Sequence, residues 1–387
     1  MPARIAVGIS DSPDAVAAFS EAAAHARRDL AVPCDLCLVF AGAPHLGNAG
    51  SLLGVVNDEL EPANLIGCGA GGVVGSGREL EAGPGAVVWA ASLPGATLAT
   101  HHFRVEVGGH GPRLLGFEEA QSELGETLIV LADPYTFATE LLLTRMNESR
   151  PGTPVLGGLA SAAAAGSGSL FRDGEIVAEG AVACSLSGIP LLASVSQGAS
   201  PVGPEMTITA AEGNVISELA SVPAIERLRE AIATLSEGEQ ELAGGGLMLG
   251  LVIDENQPDY ERGDFLVRPM IGADPDAGSI ALGERVRVGQ TVRMHVRDGA
   301  SADEDLRETL RRQAAGLRGT RAAGALLFTC NGRGAHMFSV PDHDATAISD
   351  ALGAPVGGFF CAGEIGPVGG RNFLHGFTAT MALFPAE

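Results

Sequence analysis

The 387-residue sequence contains no lysine: all 24 basic side chains are arginines, against 47 acidic ones, for a formal net charge of −23. This absence excludes a P-loop lysine, a Schiff-base lysine and a kinase-type phosphate-binding lysine. The shortage of cations works against nucleic acid, because neutralising a phosphate backbone requires clustered positive charge. It disfavours an anionic membrane surface for the same reason. We therefore expect neither nucleic acid nor a membrane as a partner.

Long apolar segments and a secretory signal are also lacking. The uncharged stretches 151–171 and 180–204 are interrupted by Gly, Ser and Pro, so neither fits a membrane span. The first residues, MPARIAVGIS, have no cationic segment followed by an apolar run and predict no signal peptide. Six cysteines without a signal favour a reducing compartment over a disulfide framework. These features predict a cytoplasmic protein.

Glycine is abundant, with 54 residues, which is about twice the usual usage. No Gly-X-Y period occurs, so the glycines predict many tight turns rather than a fibrous protein. With 46% hydrophobic and 18% charged residues, the chain can bury a large core. We expect a folded, globular protein.

Short apolar runs alternate with helical periodicity along the whole chain. Strands are expected, for example, at Arg4–Ser10, Thr127–Ala132, Val155–Leu159, Ser279–Leu282 and, at the end, Phe373–Phe384, with helices such as Asp14–Arg28 and Asp344–Leu352. Asp173-Gly174 predicts a hairpin turn. The pattern indicates an α/β or α+β fold with layered mixed sheets covered by helices. The uncharged, Gly-, Ser- and Pro-rich segment 188–204 predicts a junction between two closely packed modules, residues 1–197 and 198–387.

One succession of elements occurs in both halves: strand, turn, helix, strand and glycine turn. In the first half it runs through Leu38–Gly42 and Ile66–Val73, and in the second through Leu326–Cys330 and Gly358–Ile365. Either an internal repeat or the ordinary alternation of α/β proteins explains this similarity.

Three segments near the end carry a family resemblance: Cys330–Gly334, Gly358–Gly370 and His375–Thr380. They are similar to the C-terminal module of the FIST family, named for F-box and intracellular signal transduction proteins. The first half resembles the matching N-terminal module at Val39-Phe40, Ile66–Cys68, Val155–Ala160 and Gly180–Val182. The resemblance implies a sensory module that binds a small ligand, for which amino acids are the usual suggestion.

The sequence departs from the family pattern in two respects. Family members often precede kinase, chemoreceptor or cyclic-dinucleotide output domains, whereas this sequence ends at Glu387. The resemblance therefore implies a stand-alone, bacterial-type member that signals through a separate output protein or a second subunit. The first-half turn often reads Cys-Ser-Thr-x-Gly-Glu in the family, but here Gly72 stands where Glu364 stands in the second half.

The C-terminal motifs supply most of the candidate ligand-binding residues. Arg333 has a planar fork that suits a carboxylate, and Asn331 offers both a donor and an acceptor. The flanking Gly332 and Gly334 would let backbone amides face a ligand. Glu364 lies in an apolar, glycine-rich stretch, where an ionised carboxylate needs a partner such as an ammonium group. These residues predict a small polar ligand, amino-acid-like or a small carboxylate, bound non-covalently.

Three further residues are candidates for the same site. His375 shares a predicted strand face with Phe373 and Phe377. Cys68 and Gly69, in the first-half turn, would meet the ligand across a shared cleft. The structural interpretation of the C-terminal motifs stays open beside this one, and it predicts an internal ion pair between Arg333 and Glu364 that holds the last strands.

A cysteine-dependent enzyme is the alternative function. Cys330 or Cys361 beside His336 or His375 would form a thiolate–imidazole pair. The spacing of these residues is not diagnostic, so we favour ligand binding over catalysis. No cofactor is expected, because the GxGxxG pattern at Gly67–Gly72 is not followed by the helix that a dinucleotide site needs. No metal site is expected either.

Overall fold

The computed structural model describes residues 1–109, 111–162 and 169–387. The chain divides into two compact units: unit 1 is Met1–Val195 with Leu306–Glu387, and unit 2 is Ser196–Asp305. Mixed sheets with helices confirm the predicted α/β class. The chain enters unit 2 close to position 197/198, and a division into two modules there stays a prediction. No helix in the described part of the chain is both long and apolar enough to cross a membrane.

The first repeat of unit 1 begins with a strand and a capped helix. The Asp14 carboxylate accepts a hydrogen bond from the Ala17 N–H, which fixes the helix start, and Phe19 lies on the buried helix face. The strands β2 and β3 are parallel, and β6 lies antiparallel to β2, with β1 beside it. The elements are β1 (Arg4–Ser10), α1 (Ala15–Leu30), β2 (Leu36–Gly42), a 3₁₀ helix (Ala43–Asn48), α2 (Ala49–Leu60), β3 (Leu65–Ala70), β4 (Val73–Gly75), β5 (Arg78–Leu80) and β6 (Ala86–Ser92).

The second repeat follows the same plan. Its parallel pair is β9 and β10, and β13 lies antiparallel to β9 with β7 beside it. The predicted hairpin at Asp173-Gly174 is confirmed, since Arg172 pairs with Glu175 across that turn. The elements are β7 (Thr97–Gly108), β8 (Gly111–Leu115), α3 (Phe117–Ala120), β9 (Thr127–Ala132), α4 (Thr139–Ser149), β10 (Val155–Leu159), β11 (Leu170–Arg172), β12 (Glu175–Val177) and β13 (Ala181–Ser187).

Unit 2 is an antiparallel β unit with two helices, reached through β14 (Leu192–Gln197). Its pairing closes on itself: the strand order runs β15-β21-β18-β19-β20-β16, and β16 pairs again with β15. Apolar side chains of these strands and of α5 form its core. The elements are β15 (Ala199–Glu212), β16 (Val215–Leu219), β17 (Val222–Pro223), α5 (Ala224–Ala233), α6 (Glu237–Gly244), β18 (Leu247–Val252), β19 (Phe265–Asp274), β20 (Ser279–Leu282) and β21 (Thr291–Arg297).

The third repeat returns to unit 1 with a parallel pair, β22 and β23, and β26 antiparallel to β22. The predicted continuous strand Phe373–Phe384 is wrong, because Phe377 has a φ of 62° and the chain turns there. The strands β25 and β26 on either side of that turn belong to different sheets. The elements are α7 (Gly299–Gly316), β22 (Ala322–Cys330), α8 (Ala335–Phe338), α9 (His343–Leu352), β23 (Val356–Cys361), β24 (Glu364–Val368), β25 (Arg371–His375) and β26 (Thr378–Pro385).

The three repeats exchange hairpins. Hairpin β4–β5 of the first repeat adds to the third beside β23, hairpin β11–β12 of the second adds to the first beside β3, and hairpin β24–β25 of the third adds to the second beside β10. Of the two explanations that the sequence leaves open, the strand pairing favours an internal repeat, and this repeat occurs three times rather than twice. Each repeat completes its sheet only with strands from a neighbour.

One apolar core lies between the three sheets of unit 1. Phe40 of β2 stacks on Phe359 of β23 with ring centroids 4.9 Å apart, and Phe328 of β22 packs edge-on against the same ring. The only tryptophan, Trp89, is fully buried and donates its indole N–H to the Ala325 carbonyl oxygen at 3.1 Å. Helices cover the outer faces of the sheets through separate apolar clusters. The second strand of each parallel pair (β3, β10 and β23) leads at its carboxyl end into a segment that crosses to a neighbouring sheet.

Candidate functional site

The three segments that cross from one sheet to the next meet within unit 1. We call this meeting point the crossover junction and define it as Gly69–Gly72, Leu159–Ala162 and Phe360–Glu364. Ser161 ties the segments together: its Oγ accepts the Gly71 N–H at 2.7 Å and donates to the Phe360 carbonyl oxygen. Backbone hydrogen bonds join Leu159 to Gly363 at 2.8 Å and Phe360 to Gly72 at 3.0 Å. Ligands of open α/β sheets commonly bind outside the carboxyl ends of parallel strands, which is where this junction lies.

Glu364 begins β24 at the crossover junction and is fully buried. Its Oε2 accepts two hydrogen bonds from Thr378, one from the backbone N–H at 3.1 Å and one from Oγ1 at 3.0 Å. Its Oε1 is buried without a hydrogen-bond partner among the described residues. Burial raises the pKa of the Glu364 carboxyl from 4.5 to about 8, and the hydrogen bonds from Thr378 and Cys330 offset only part of that rise. Near neutral pH the carboxyl is therefore mostly protonated when nothing is bound.

Two buried cysteines, Cys330 and Cys361, lie beside this carboxyl, and a third, Cys68, lies near Cys361. Cys330 and Cys361 end adjacent parallel strands in direct register, and Cys68 lies near Cys361 from β3. Burial raises the pKa of the Cys330 thiol to about 12 and that of the other two well above the usual value, and the Glu364 carboxyl adds to the rise at Cys330 and Cys361. The thiols are therefore neutral polar neighbours, and a thiolate is disfavoured there.

Glycine is required in β10, where this cluster is packed most tightly. A Cβ at Gly158 would lie 2.3 Å from Cys361 Sγ. Gly157 has a φ of 144°, and a Cβ there would lie 1.8 Å from the Val130 carbonyl oxygen. Only glycine at these two positions lets β10 pass between β9 and β24.

Arg333 does not pair with Glu364, so the structural alternative, an internal ion pair between them, is wrong. Its Nε and Nη2 donate to the two carboxylate oxygens of Asp344 in α9, at 2.7 and 2.9 Å, and both side chains are buried. The guanidinium lies 5.0 Å from the Phe338 ring centroid. Burial alone would raise the pKa of Asp344, but Arg333 and His343 hold it well below its usual range. Nε and Nη2 are thus occupied by a carboxylate of the chain itself, whereas the buried Nη1 has no hydrogen-bond partner among the described residues.

The other residues of the Asn331–Gly334 turn have distinct surroundings. The Asn331 N–H donates to the Cys361 carbonyl oxygen at 2.9 Å, and its exposed side chain places Oδ1 3.7 Å from where a Cβ of Gly71 would lie. A Cβ at Gly332 would lie 2.8 Å from the Phe377 ring. Gly334 has a φ of 99°, and a Cβ there would lie 2.6 Å from the Glu81 carboxylate. Of the four residues of this turn, Asn331 is the one whose side chain reaches toward the first-half turn.

The remaining candidates are buried at the junction or beside it. Cys68 is fully buried, and the Gly69 N–H donates to the Ser169 carbonyl oxygen at 2.7 Å. His375 pairs in register with Glu364 across β24 and β25, and its Nε2 lies 3.0 Å from the Gly366 carbonyl oxygen. Phe377 does not share its strand face, because β25 ends at His375.

Sequence reasoning missed the three residues that organise this region: Ser161, Thr378 and Asp344. Asp344 lies in the first turn of a correctly predicted helix, and its charge was a usable signal for a partner to Arg333. On a continuous strand Thr378 would face away from His375, but the chain turns at Phe377 and brings Thr378 to Glu364. Nothing in the local sequence distinguishes Ser161 from its small neighbours. Among the described residues, no group of three or more His, Cys, Asp or Glu side chains is placed to hold a metal ion.

Comparison with known proteins agrees with this architecture. Residues 35–221 match the FIST N domain and residues 224–367 match the FIST C domain. The chain is 46% identical over 386 residues to the uncharacterised protein Rv0628c of Mycobacterium tuberculosis strain H37Rv, covering 98% of this chain and 99% of that one. It is 45% identical over 388 residues to the uncharacterised protein Mb0898c of Mycobacterium bovis, covering 98% of each. The chain belongs to the FIST family, whose domains are generally sensory or signal-transduction domains.

Proposed function

We propose that this chain is a sensory protein that binds a small, amino-acid-like ligand non-covalently at the crossover junction. The observation that carries the proposal is the Glu364 carboxyl, which is fully buried and has one oxygen, Oε1, without a hydrogen-bond partner among the described residues. Burial keeps this carboxyl mostly neutral near neutral pH, and a cationic donor at Oε1 would stabilise the charged form that burial disfavours. A ligand ammonium group supplies both the charge and the hydrogen bonds.

The second polar group of the ligand would be bound by Asn331. This side chain is exposed, follows the end of β22, and reaches toward Gly71 of the first-half turn. Its amide donor suits a ligand carboxylate, because the Nε and Nη2 of Arg333 are already bound to Asp344 and only its buried Nη1 has no hydrogen-bond partner among the described residues. Arg333 has a positioning role in this proposal, because it anchors the Asn331–Gly334 turn to α9.

Ligand binding at Glu364 would change the junction that joins all three sheets of unit 1. Deprotonation of Glu364 and ordering of the glycine turns would favour one arrangement of the crossing segments. We propose that a separate output protein or a second subunit recognises that arrangement, in the cytoplasm, and that no cofactor takes part. The six reduced, buried cysteines support this location.

A ligand screen on the full chain tests the proposal. Calorimetry and thermal shift would compare amino acids, the corresponding amines without the carboxylate, and small carboxylates without the amine. We expect stabilisation by an amine-bearing compound, its loss in Glu364→Gln, and its retention in Glu148→Gln, a change at an exposed helix position. Equal stabilisation in Glu364→Gln, or by the amine-free carboxylates alone, would overturn the assignment of Glu364.

Thiol chemistry separates this proposal from the cysteine-enzyme alternative. Because burial raises the pKa of the Cys330 and Cys361 thiols, we expect Cys330→Ser and Cys361→Ser to retain ligand binding. A thiol reagent should label the native chain slowly and the unfolded chain fast. Rapid labelling of one native cysteine, together with loss of ligand effects in its serine variant, would favour the enzyme.

A further inference from the structure

Unit 2 contains an apolar groove between helix α5 and the strand wall formed by β18, β19 and β20. We call it the α5 groove. Its volume is about 480 Å³, within the range of small-molecule sites. Leu228 and Ile232 line it from the helix, and Met270, Ile271 and Ile280 line it from the strands. The groove lies outside the crossover junction, in the unit with its own core.

The groove forms because helix α5 does not pack tightly against the strands opposite it. Positions 225, 228, 229 and 232 of α5 form one stripe at helical spacing that faces the strands. Opposite this stripe, β19 has a register shift between Met270 and Gly272, and Gly272 adds no side chain to the wall. Ile271 is 61% exposed at the edge of the gap. An exposed apolar surface of this kind, in a strongly acidic chain, favours a ligand with an apolar part.

Among the residues that the structure describes, Arg229 is the one charged side chain that lines the groove. It is exposed, and among the described residues it has neither an ion pair nor a side-chain hydrogen bond. Its neighbour Arg227 differs, because it pairs with Glu230 at 2.8 Å and donates to backbone carbonyls. A free guanidinium beside an apolar groove is suited to an amphipathic anion, since its planar fork matches a carboxylate.

We propose that the α5 groove binds a long-chain carboxylate, with the alkyl chain along Leu228, Ile232 and Met270 and the carboxylate on Arg229. The alkyl chain removes the groove's apolar surface from water, and the head group satisfies the free guanidinium. Unit 2 interrupts the third repeat from the end of β14 to the first turns of α7, whereas β1 of the first repeat leads directly into α1. The inserted unit thus adds a second binding site that the threefold architecture does not need.

Calorimetry on the full chain tests this site with sodium laurate below its micelle concentration and with dodecanol as the uncharged match. We expect saturable laurate binding that is roughly tenfold weaker in Arg229→Gln, because one charge-assisted contact is lost. Arg287→Gln, at an exposed arginine of the same unit outside the groove, should bind laurate like the wild type. Dodecanol should bind weakly and equally to the wild type and to Arg229→Gln.

Two further variants show whether a negative result concerns this groove. Ile271→Glu places a carboxylate at the exposed edge and should weaken laurate binding without unfolding unit 2, which its unchanged melting temperature would verify. Glu364→Gln should leave laurate binding unchanged, so failure of the crossover-junction site is distinguishable. The proposal is overturned by equal laurate affinity in Arg229→Gln and the wild type, by an equal response to a non-ionic detergent, or by the absence of saturable binding.

Discussion

Arg333 and Asp344 form a two-point ion pair in the interior of unit 1, with nitrogen–oxygen distances of 2.7 and 2.9 Å and both side chains buried. Asp344 also meets His343, whose Nδ1 lies 2.9 Å from Oδ1. Thr329 of β22 donates to the same carboxylate at 2.9 Å. The pair therefore fastens the turn after β22 to helix α9, and it sets the position of Asn331 at the proposed site.

Arg333→Ala should strongly destabilise unit 1. Removing one partner of a buried pair leaves the Asp344 carboxylate without its main counter-charge, which typically costs about 3–5 kcal/mol. Arg28→Ala is the matched control, because Arg28 pairs with Asp29 at the surface and both are more than half exposed. That change should stay within about 0.5 kcal/mol. Urea denaturation of both variants measures the difference, and similar midpoints would show that the buried pair is not structural.

The pH dependence of stability should report on Glu364. Its pKa is raised by burial from 4.5 to about 8 in the folded chain, so the native state keeps a proton that the unfolded state releases. Stability is then fully present below about pH 4.5 and is lost as the pH rises toward 8, by at most ~1.4 kcal/mol per pH unit for one proton. Glu364→Gln stays uncharged and should lose less stability over this window.

A second buried carboxyl, Glu79, also makes stability fall as the pH rises, so its contribution must be separated from that of Glu364. Burial, with a contribution from Asp344, raises the pKa of the Glu79 carboxyl to about 7, so its stabilising proton is lost between about pH 4.5 and 7. Denaturation of the wild type, Glu79→Gln and Glu364→Gln at pH 5 and pH 9 separates the two groups. Identical pH profiles for Glu364→Gln and the wild type would contradict the raised pKa of Glu364.

Gly158→Ala should destabilise the chain because its new Cβ would lie 2.3 Å from Cys361 Sγ. Overpacking of a tight interior typically costs about 1–3 kcal/mol. Gly47→Ala is the control, since no atom lies within 4 Å of its Cβ position. Combining Gly158→Ala with Cys361→Ala should recover part of the loss, and melting temperatures of both single variants, the double variant and Gly47→Ala measure this. Additive losses in the double variant would place the clash elsewhere.

The individual elements could be predicted from the sequence because their signals are local. Thr127–Ala132, Val155–Leu159 and Ser279–Leu282 are strands with the expected bounds, since each is a short apolar or β-branched run between turn residues. The Asp173-Gly174 hairpin depends on four consecutive residues, so it could be predicted from the local sequence in the same way. The helix that contains Asp344 was predicted to within one residue at its start.

The exchange of hairpins could not be predicted, because it depends on which strands pair over long distances. The hairpin that starts at Glu364 adds to β10, about two hundred residues earlier in the chain, and no local pattern specifies that choice. The same limit applies to the site. The sequence identifies Arg333 and Glu364 as charged residues that need partners. Only the packing of α9 shows that Asp344 is the partner of Arg333, and that Thr378 is a partner of Glu364.

Ser161→Ala should loosen the crossover junction while leaving the rest of unit 1 intact. The change removes the acceptor of the Gly71 N–H and the donor to the Phe360 carbonyl oxygen, both in part-buried hydrogen bonds, and the loss of one such bond typically costs about 0.5–1.5 kcal/mol. Hydrogen exchange should therefore accelerate at the Gly71 amide and remain slow in β2 and β22. Ser149→Ala removes a hydroxyl that donates to the Arg145 carbonyl oxygen on an exposed helix end, so it should not affect Gly71. If the proposed site lies at the junction, Ser161→Ala should also weaken ligand binding more than Ser149→Ala does, and unchanged exchange at Gly71 would remove Ser161 from the junction.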